Sequence, residues 1–316
     1  MAQWFSRISP VYTRRHYVWI IGLILVTGLM YQNCSNVDFT EVKLDGKLDD
    51  LGNGELTPDF VCSPFGSNDV PTARSGLKVE LRYFDKNNPL DVDSRNKILA
   101  VNYFKDNDTR FVKAPEAIFL SDVNVPSRRF DTGFQNSKGS LLKDNQGSDL
   151  IEYFALKMES ELKLAPNDLP GYYELATISD DGAVIQLMQN GVWSTVINND
   201  GQHATRMGCT TQKVYLNAQS RIPLRIFYNQ GPRLTIANVL LFNYRGDIPT
   251  TAASVPSDAA AHSYCGKESV NQFWDPEDSS RPKLWIQEVF NGGWQILKPD
   301  NFQLTDNQVN PCAATK

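Results

Sequence analysis

The chain has 316 residues, 41% hydrophobic and 11% aromatic, with 36 acids against 31 bases and a net charge of −5. That is core enough for one large domain or two small ones, and too aromatic for a disordered chain. The acidity argues against nucleic-acid binding, and three histidines leave little room for imidazole chemistry.

The first thirty-three residues contain no Asp or Glu but do contain Arg7, Arg14 and Arg15, ahead of an apolar run from Tyr17 to Met30. As a helix that run spans about 21 Å, short of a bilayer core of about 30 Å. A positive flank, a short apolar stretch and a polar exit are the parts of a secretion signal. Cys34 stands at the exit, and Tyr31-Gln32-Asn33-Cys34 resembles the aromatic-Gln-Asn-Cys boxes of lipoproteins from some predatory Gram-negative bacteria. The resemblance implies lipidation of Cys34, with Ser35 favouring the outer membrane; an uncleaved signal anchor is the alternative. Without residues 1–33, 28 bases face 36 acids, a net −8.

With Cys34 carrying lipid, four cysteines remain for an oxidising compartment, and three pairings are open. Cys265 and Cys312 bracket the C-terminal segment, which suggests that they pair and leave Cys62 for Cys209. No Cys-x-x-Cys spacing suggests a metal cluster.

Residues 34–75 read as a tether. From Gly76 onwards Leu77, Val79, Leu81 and Tyr83 alternate with charged residues, a half-buried strand. Ile98–Phe104 is an apolar run of strand length. Ala155–Leu164 has helix-favouring composition but strict alternation, which predicts a strand. Further strands are predicted at Tyr172–Ile178, Ala183–Met188, Val192–Ile197, Lys213–Leu216, Ile222–Tyr228 and Leu234–Tyr244. Turn pairs such as Asp181-Gly182 and Asn190-Gly191 separate several of them. Short strands so punctuated imply an all-β antiparallel sandwich or barrel, with no strong amphipathic helix interrupting it. Residues 248–263 read as a linker. Residues 264–316, too few to bury much core alone, read as a short disulfide-closed extension holding Trp274, Trp285 and Trp294.

The segment Gly171-Tyr-Tyr-Glu-Leu-Ala-Thr-Ile-Ser-Asp-Asp-Gly182 resembles the PA14 family, whose members show a similar strand leading into Ser-Asp-Asp-Gly. Gly76–Glu80, Asp200-Gly201-Gln202-His203 and the pair Ile222–Tyr228 and Arg233–Leu241 fit in order, so the resemblance covers residues 76–247. It implies a jelly-roll-like β-sandwich whose ligand, where there is one, is commonly carbohydrate. In the adhesin branch a calcium ion presents the sugar, held by paired aspartates joined through a cis peptide and by an Asn after the penultimate strand. Asp180, Asp181 and Asn229 match those positions. Calcium takes six to eight oxygens at about 2.3–2.6 Å, chemistry that two carboxylates and an amide suit. Adjacent strand residues otherwise point to opposite faces. The chain departs from the branch beyond Asn229, and Arg233 places a cation nearby. A plain turn, with Asp180 bonding nearby amides, is the alternative.

Three functions compete on this reading: an anchored module binding carbohydrate or another envelope ligand, a scaffolding lipoprotein contacting protein, and a glycosidase. The glycosidase needs two carboxylates about 5–5.5 Å apart across a sugar. It would have no separate catalytic domain, and no Gly-x-Ser-x-Gly element supports a serine hydrolase. The expectation is a binding protein, not an enzyme. Trp193 is a candidate for stacking on a sugar ring, with core packing as its alternative.

Overall fold

The structure, a computed structural model, describes residues 60–64, 71–85, 87–88, 90–132, 141–210, 212–232, 234–246 and 262–313. Residues 1–33, Cys34, most of the tether and linker, and Arg233 lie outside them. Among the described residues no helix is long and apolar enough to cross a membrane.

Thirteen strands come first: β1 (Phe60–Cys62), β2 (Leu77–Phe84), β3 (Phe111–Lys113), β4 (Ala117–Leu120), β5 (Asn124–Arg129), β6 (Phe154–Leu162), β7 (Gly171–Asp180), β8 (Ala183–Gln189), β9 (Val192–Asn199), β10 (Arg206–Cys209), β11 (Val214–Leu216), β12 (Ile222–Gln230) and β13 (Thr235–Tyr244). A one-turn helix α1 (Val92–Asn96) and a 3-10 helix (Ala100–Phe104) lie between β2 and β3. The C-terminal segment adds β14 (Trp274–Asp275), β15 (Asp278–Pro282), α2 (Leu284–Asn291), β16 (Gln295–Ile296) and β17 (Phe302–Gln303).

Two sheets face each other. The first runs β1-β4-β2-β6-β12-β8-β9, with β3 also on β2 and β17 on β6; the second runs β10-β7-β13-β16, with β11 on β7 and β5 on β13. Leu81, Leu156, Met158, Ile185 and Ile226 of the first sheet meet Leu175, Leu240 and Phe242 of the second in one dry core. The all-β sandwich expected from the sequence is therefore present. In β6 the inward residues are buried while Lys157, Glu159 and Glu161 stay partly exposed, as period-2 alternation requires. The β8–β9 turn has Asn190 at φ 52° and Gly191 at φ 77°, the positive pair that a tight hairpin needs.

The second sheet differs, because it is buried on both faces. Ala176 and Ile178 of β7 and Val239 and Leu241 of β13 turn away from the main core. They pack under Phe273, Trp274, Ile286, Val289 and Trp294. Residues 57–316 thus form one compact unit in which the C-terminal segment is a third layer.

That placement corrects the disulfide expectation. Cys62 pairs with Cys312 and Cys209 with Cys265, not Cys62 with Cys209 or Cys265 with Cys312. Cys265 runs alongside β10, where Met207 bridges Cys265 and the Gly266 amide donates to the Met207 carbonyl at 2.7 Å. Cys312 follows Asn310, whose amide donates to the Ala73 carbonyl at 2.8 Å, bringing the end of the chain to the edge where β1 pairs β4. The extension is closed onto the sandwich and not onto itself.

Two further differences are local. Ile98–Phe104, predicted as a strand, holds the 3-10 helix, whose Ala100 and Tyr103 are buried at the i, i+3 spacing of such a turn. In the C-terminal segment α2 buries Ile286 and Val289 at the same spacing, a run too short for periodicity to reveal.

Candidate functional site

The antiparallel register gathers several strand ends at one edge of the sandwich. Phe84 ends β2, Phe154 begins β6 opposite Gln230 of β12, and Ala183 of β8 lies opposite both Tyr228 and Asn199. Asp180 ends β7, and Asp181 and Gly182 form the crossing into β8, so β7 passes its last residues from the second sheet to the first there.

The Asp180–Asp181 peptide bond is cis. Each side chain is only 5% exposed, so both carboxylates are buried at the sheet edge. Asp180 accepts hydrogen bonds through Oδ2 from the Thr205 hydroxyl at 2.9 Å and from the Thr235 hydroxyl. Asp181 accepts from the His203 amide through Oδ1 at 3.1 Å and from the Gly231 amide through Oδ2 at 2.7 Å. Tyr228, fully buried, directs its hydroxyl at the Asp180 carbonyl at 2.7 Å.

No lysine or arginine among the described residues forms an ion pair with either aspartate. Arg206 is engaged with Glu268 at 3.2 Å and the Asn199 side chain at 2.7 Å. Burial therefore pushes the Asp180 carboxyl up to about 6. Burial, with the neighbouring Asp180 charge, pushes Asp181 up to about 7. Two adjacent buried carboxylates without a cation are costly unless something positive joins them.

Asn229 completes the group. It is 4% exposed, its amide donates to the Gly182 carbonyl at 3.0 Å, and its Oδ1 is buried without a hydrogen-bond partner. Gly182 is required here: a Cβ would stand 2.5 Å from Asn229 Oδ1 and 2.8 Å from Asp200 Oδ1. Asp200 is a turn residue, its Oδ1 accepting from the Gly201 amide at 2.8 Å and the Ala100 amide at 2.9 Å. His203 is packed, with Nδ1 facing the Ala204 carbonyl at 2.8 Å and Nε2 the Asn199 carbonyl at 2.9 Å. Burial lowers its pKa, and neither ring nitrogen is open to a ligand.

The structure thus brings Asp180, Asp181 and Asn229 together but leaves Trp193 apart. Trp193 pairs with Met188 on the β8–β9 ribbon, five positions from the Ala183–Asn199 pair, or about 16 Å along the strands. There the Arg225 guanidinium lies 4.0 Å from the centre of its ring. Thr205, Thr235 and Gly231 carry no signal of their own in the sequence, since each contributes a single donor from a separate strand end. Among the described residues no group of three His, Cys, Asp or Glu side chains converges, so any ion here would draw on the amide oxygen as well as the two acids. The donors are all oxygen, two of them anionic, and one is an orphaned buried carbonyl: a set that fits calcium.

No family model and no curated protein matches the sequence. Among solved structures the chain is similar to the A domain of epithelial adhesin 6 from Candida glabrata in complex with Galb1-3GlcNAc, at 19% identity over 61% of this chain and 88% of that one, with a TM-score of 0.36. It is similar to the PA14 sugar-binding domain from an RTX adhesin, at 17% identity over 56% and 93%, TM-score 0.32. It is also similar to an anti-sigma factor domain-containing protein from Clostridium clariflavum, at 16% identity over 65% of this chain and 51% of that one, TM-score 0.32. One of the three bears the PA14 name that the Ser-Asp-Asp-Gly segment suggests. At these identities and TM-scores the likenesses carry nothing about ligand or role.

Proposed function

We propose that the chain is an outer-membrane lipoprotein, anchored through Cys34, whose Asp180–Asp181–Asn229 edge binds carbohydrate with calcium in adhesion or recognition at the cell envelope. The observation that carries the binding reading is electrostatic: two buried carboxylates lie together without a cation, beside a buried amide oxygen without a donor. A divalent cation relieves all three at once, which a proton on one carboxyl does not. Asp180, Asp181 and Asn229 are the residues that would hold it, and a bound calcium offers open coordination positions to sugar hydroxyls. Thr205, Thr235 and the amides of His203 and Gly231 orient the carboxylates. The anchor rests on the leader pattern and on Cys34.

Calorimetric titration of the full chain in detergent with calcium, beside the double variant Asp180→Ala, Asp181→Ala, tests the ion. Binding by the first and silence from the second are expected; silence from both would sink the calcium reading. Metabolic labelling with a fatty acid, lost in Cys34→Ala, tests the anchor.

A further inference from the structure

The same end of the sandwich carries a concavity of about 360 Å³, lined among others by Tyr83, Phe84, Arg95, Asp144, Glu152 and Tyr153. That size is within the range of small-ligand sites, about 300–1,000 Å³. Tyr153, at φ 56°, breaks the extended backbone just before β6, and its half-buried ring forms one wall. The Arg95 guanidinium lies 4.6 Å over the Phe84 ring and 5.8 Å from that of Tyr153. Its Nε donates to the Leu90 carbonyl at 3.0 Å, which fixes its plane. The two terminal nitrogens meet no carboxylate among the described residues, so a donor fork is held ready on an aromatic support.

The acids differ in how they are used. Asp144 Oδ1 accepts from the Gln146 and Ser148 amides, each at 2.9 Å, and so organises its own loop. Asp149, at the rim, is paired with Lys143. Glu152 is half-buried and has no hydrogen bond or ion pair among the described residues. The cleft therefore presents a fixed donor fork, a spare acceptor and a flat ring. A pyranose matches all three: ring and hydroxyl oxygens accept, hydroxyls donate, and its C–H face lies against a π-surface. With Asp144, Asp149 and Glu152 outnumbering Arg95, a neutral sugar suits the cleft better than a carboxylated one.

Gly231 links a wall of this cleft to the candidate site. Its amide donates to Asp181 Oδ2 at 2.7 Å, and its carbonyl accepts from the Tyr153 amide at 3.4 Å. A Cβ at position 231 would stand 2.9 Å from Asp181 Oδ2, so the backbone that bonds Tyr153 lies directly against the carboxylate. We propose that the Arg95–Tyr153 cleft is a second saccharide subsite, holding a neutral pyranose whose linked neighbour reaches the Asp180–Asp181 pair. This rests on the carbohydrate reading above and makes the ligand a disaccharide or longer.

The test uses the full chain on a glycan array of neutral hexose and N-acetylhexosamine mono-, di- and trisaccharides with uronate-terminated counterparts. Calorimetry follows with the best neutral disaccharide and its component monosaccharides, with calcium and with chelator. A neutral disaccharide is expected to bind at least about tenfold more tightly than either monosaccharide, the size of one charge-assisted contact. Arg95→Ala and Glu152→Gln should each reduce that advantage and leave the calcium titration unchanged, with circular dichroism reporting folding. No disaccharide advantage, or full advantage in both variants, overturns the subsite; a preference for uronates overturns its neutral assignment. A silent calcium titration with sugar binding that Arg95→Ala removes overturns the ion while upholding the cleft. Absence of all sugar binding overturns both.

Discussion

Strand β7 carries a carboxylate near each end, Glu174 half-buried and Asp180 buried, and the two are treated oppositely. Glu174 faces Arg245, whose Nε and Nη2 approach Oε2 at 2.8 and 2.6 Å, with His262 Nε2 at 3.1 Å. The Arg245 side chain is 3% exposed. Six residues later Asp180, with Asp181, receives neutral donors only. One end is closed electrostatically by an arginine, and the other has no cationic side chain paired with it among the described residues. Charge compensation thus distinguishes the paired acid from the one proposed to bind a ligand.

The comparison can be broken at its closed end first. Arg245→Leu leaves Glu174 uncompensated and should cost about 3–5 kcal/mol in urea unfolding, largely restored by adding Glu174→Gln. A cost under about 1 kcal/mol would mean that the pair is not what holds Glu174. At the open end, calcium at a hundred times its dissociation constant should stabilise the protein by about 2.7 kcal/mol, and Asp181→Asn should abolish that gain. The same variant should raise calcium-free stability at pH 8, since it removes a charge that burial disfavours.

Proton linkage sharpens the contrast. Both aspartates titrate above an unfolded aspartate, at about 6 and about 7 against about 3.9. Their contribution to stability is fully present below about pH 4 and lost as pH rises through 6 to 7. The calcium-free protein should therefore weaken over that window by an amount on the order of 1–3 kcal/mol, and calcium should remove the loss. A stability that is flat in Asp180→Asn, Asp181→Asn and falling in the parent would confirm the source. The smallest effect belongs to a half-buried surface pair. Arg225→Ala, which removes both the Glu159 ion pair at 2.7 Å and the Trp193 contact, should cost at most about 1–2 kcal/mol in thermal unfolding.

Much of the first sheet was legible in the sequence because one of its faces meets water. In β6 the alternation of Leu156 and Met158 with Lys157 and Glu159 overrides a helix-favouring composition. The third layer was not legible. Its contacts with Ala176, Ile178, Val239 and Leu241 join segments far apart in the sequence, and two-sided burial erases alternation in β13. The cysteine partners were hidden for the same reason. At the site, Asp180 and Asp181 stood out through a local motif, and Asn229 only through its place in the family resemblance. Thr205, Thr235 and the Gly231 amide were not, since their roles arise only where three strand ends meet. The Arg95–Tyr153 cleft had no motif at all.

The Cys62–Cys312 bond, across a sequence separation of 250, closes the chain into a covalent ring with the N-terminal segment attached at one point of it. In the proposed role, a load applied through that attachment against a ligand held at Asp181 would have two routes through the polypeptide, forward from Cys62 and backward from Cys312. Each carries part of the tension. A single proteolytic cut within the ring also leaves both fragments tethered, so the grip at Asp181 would outlast damage that severs an uncrosslinked chain.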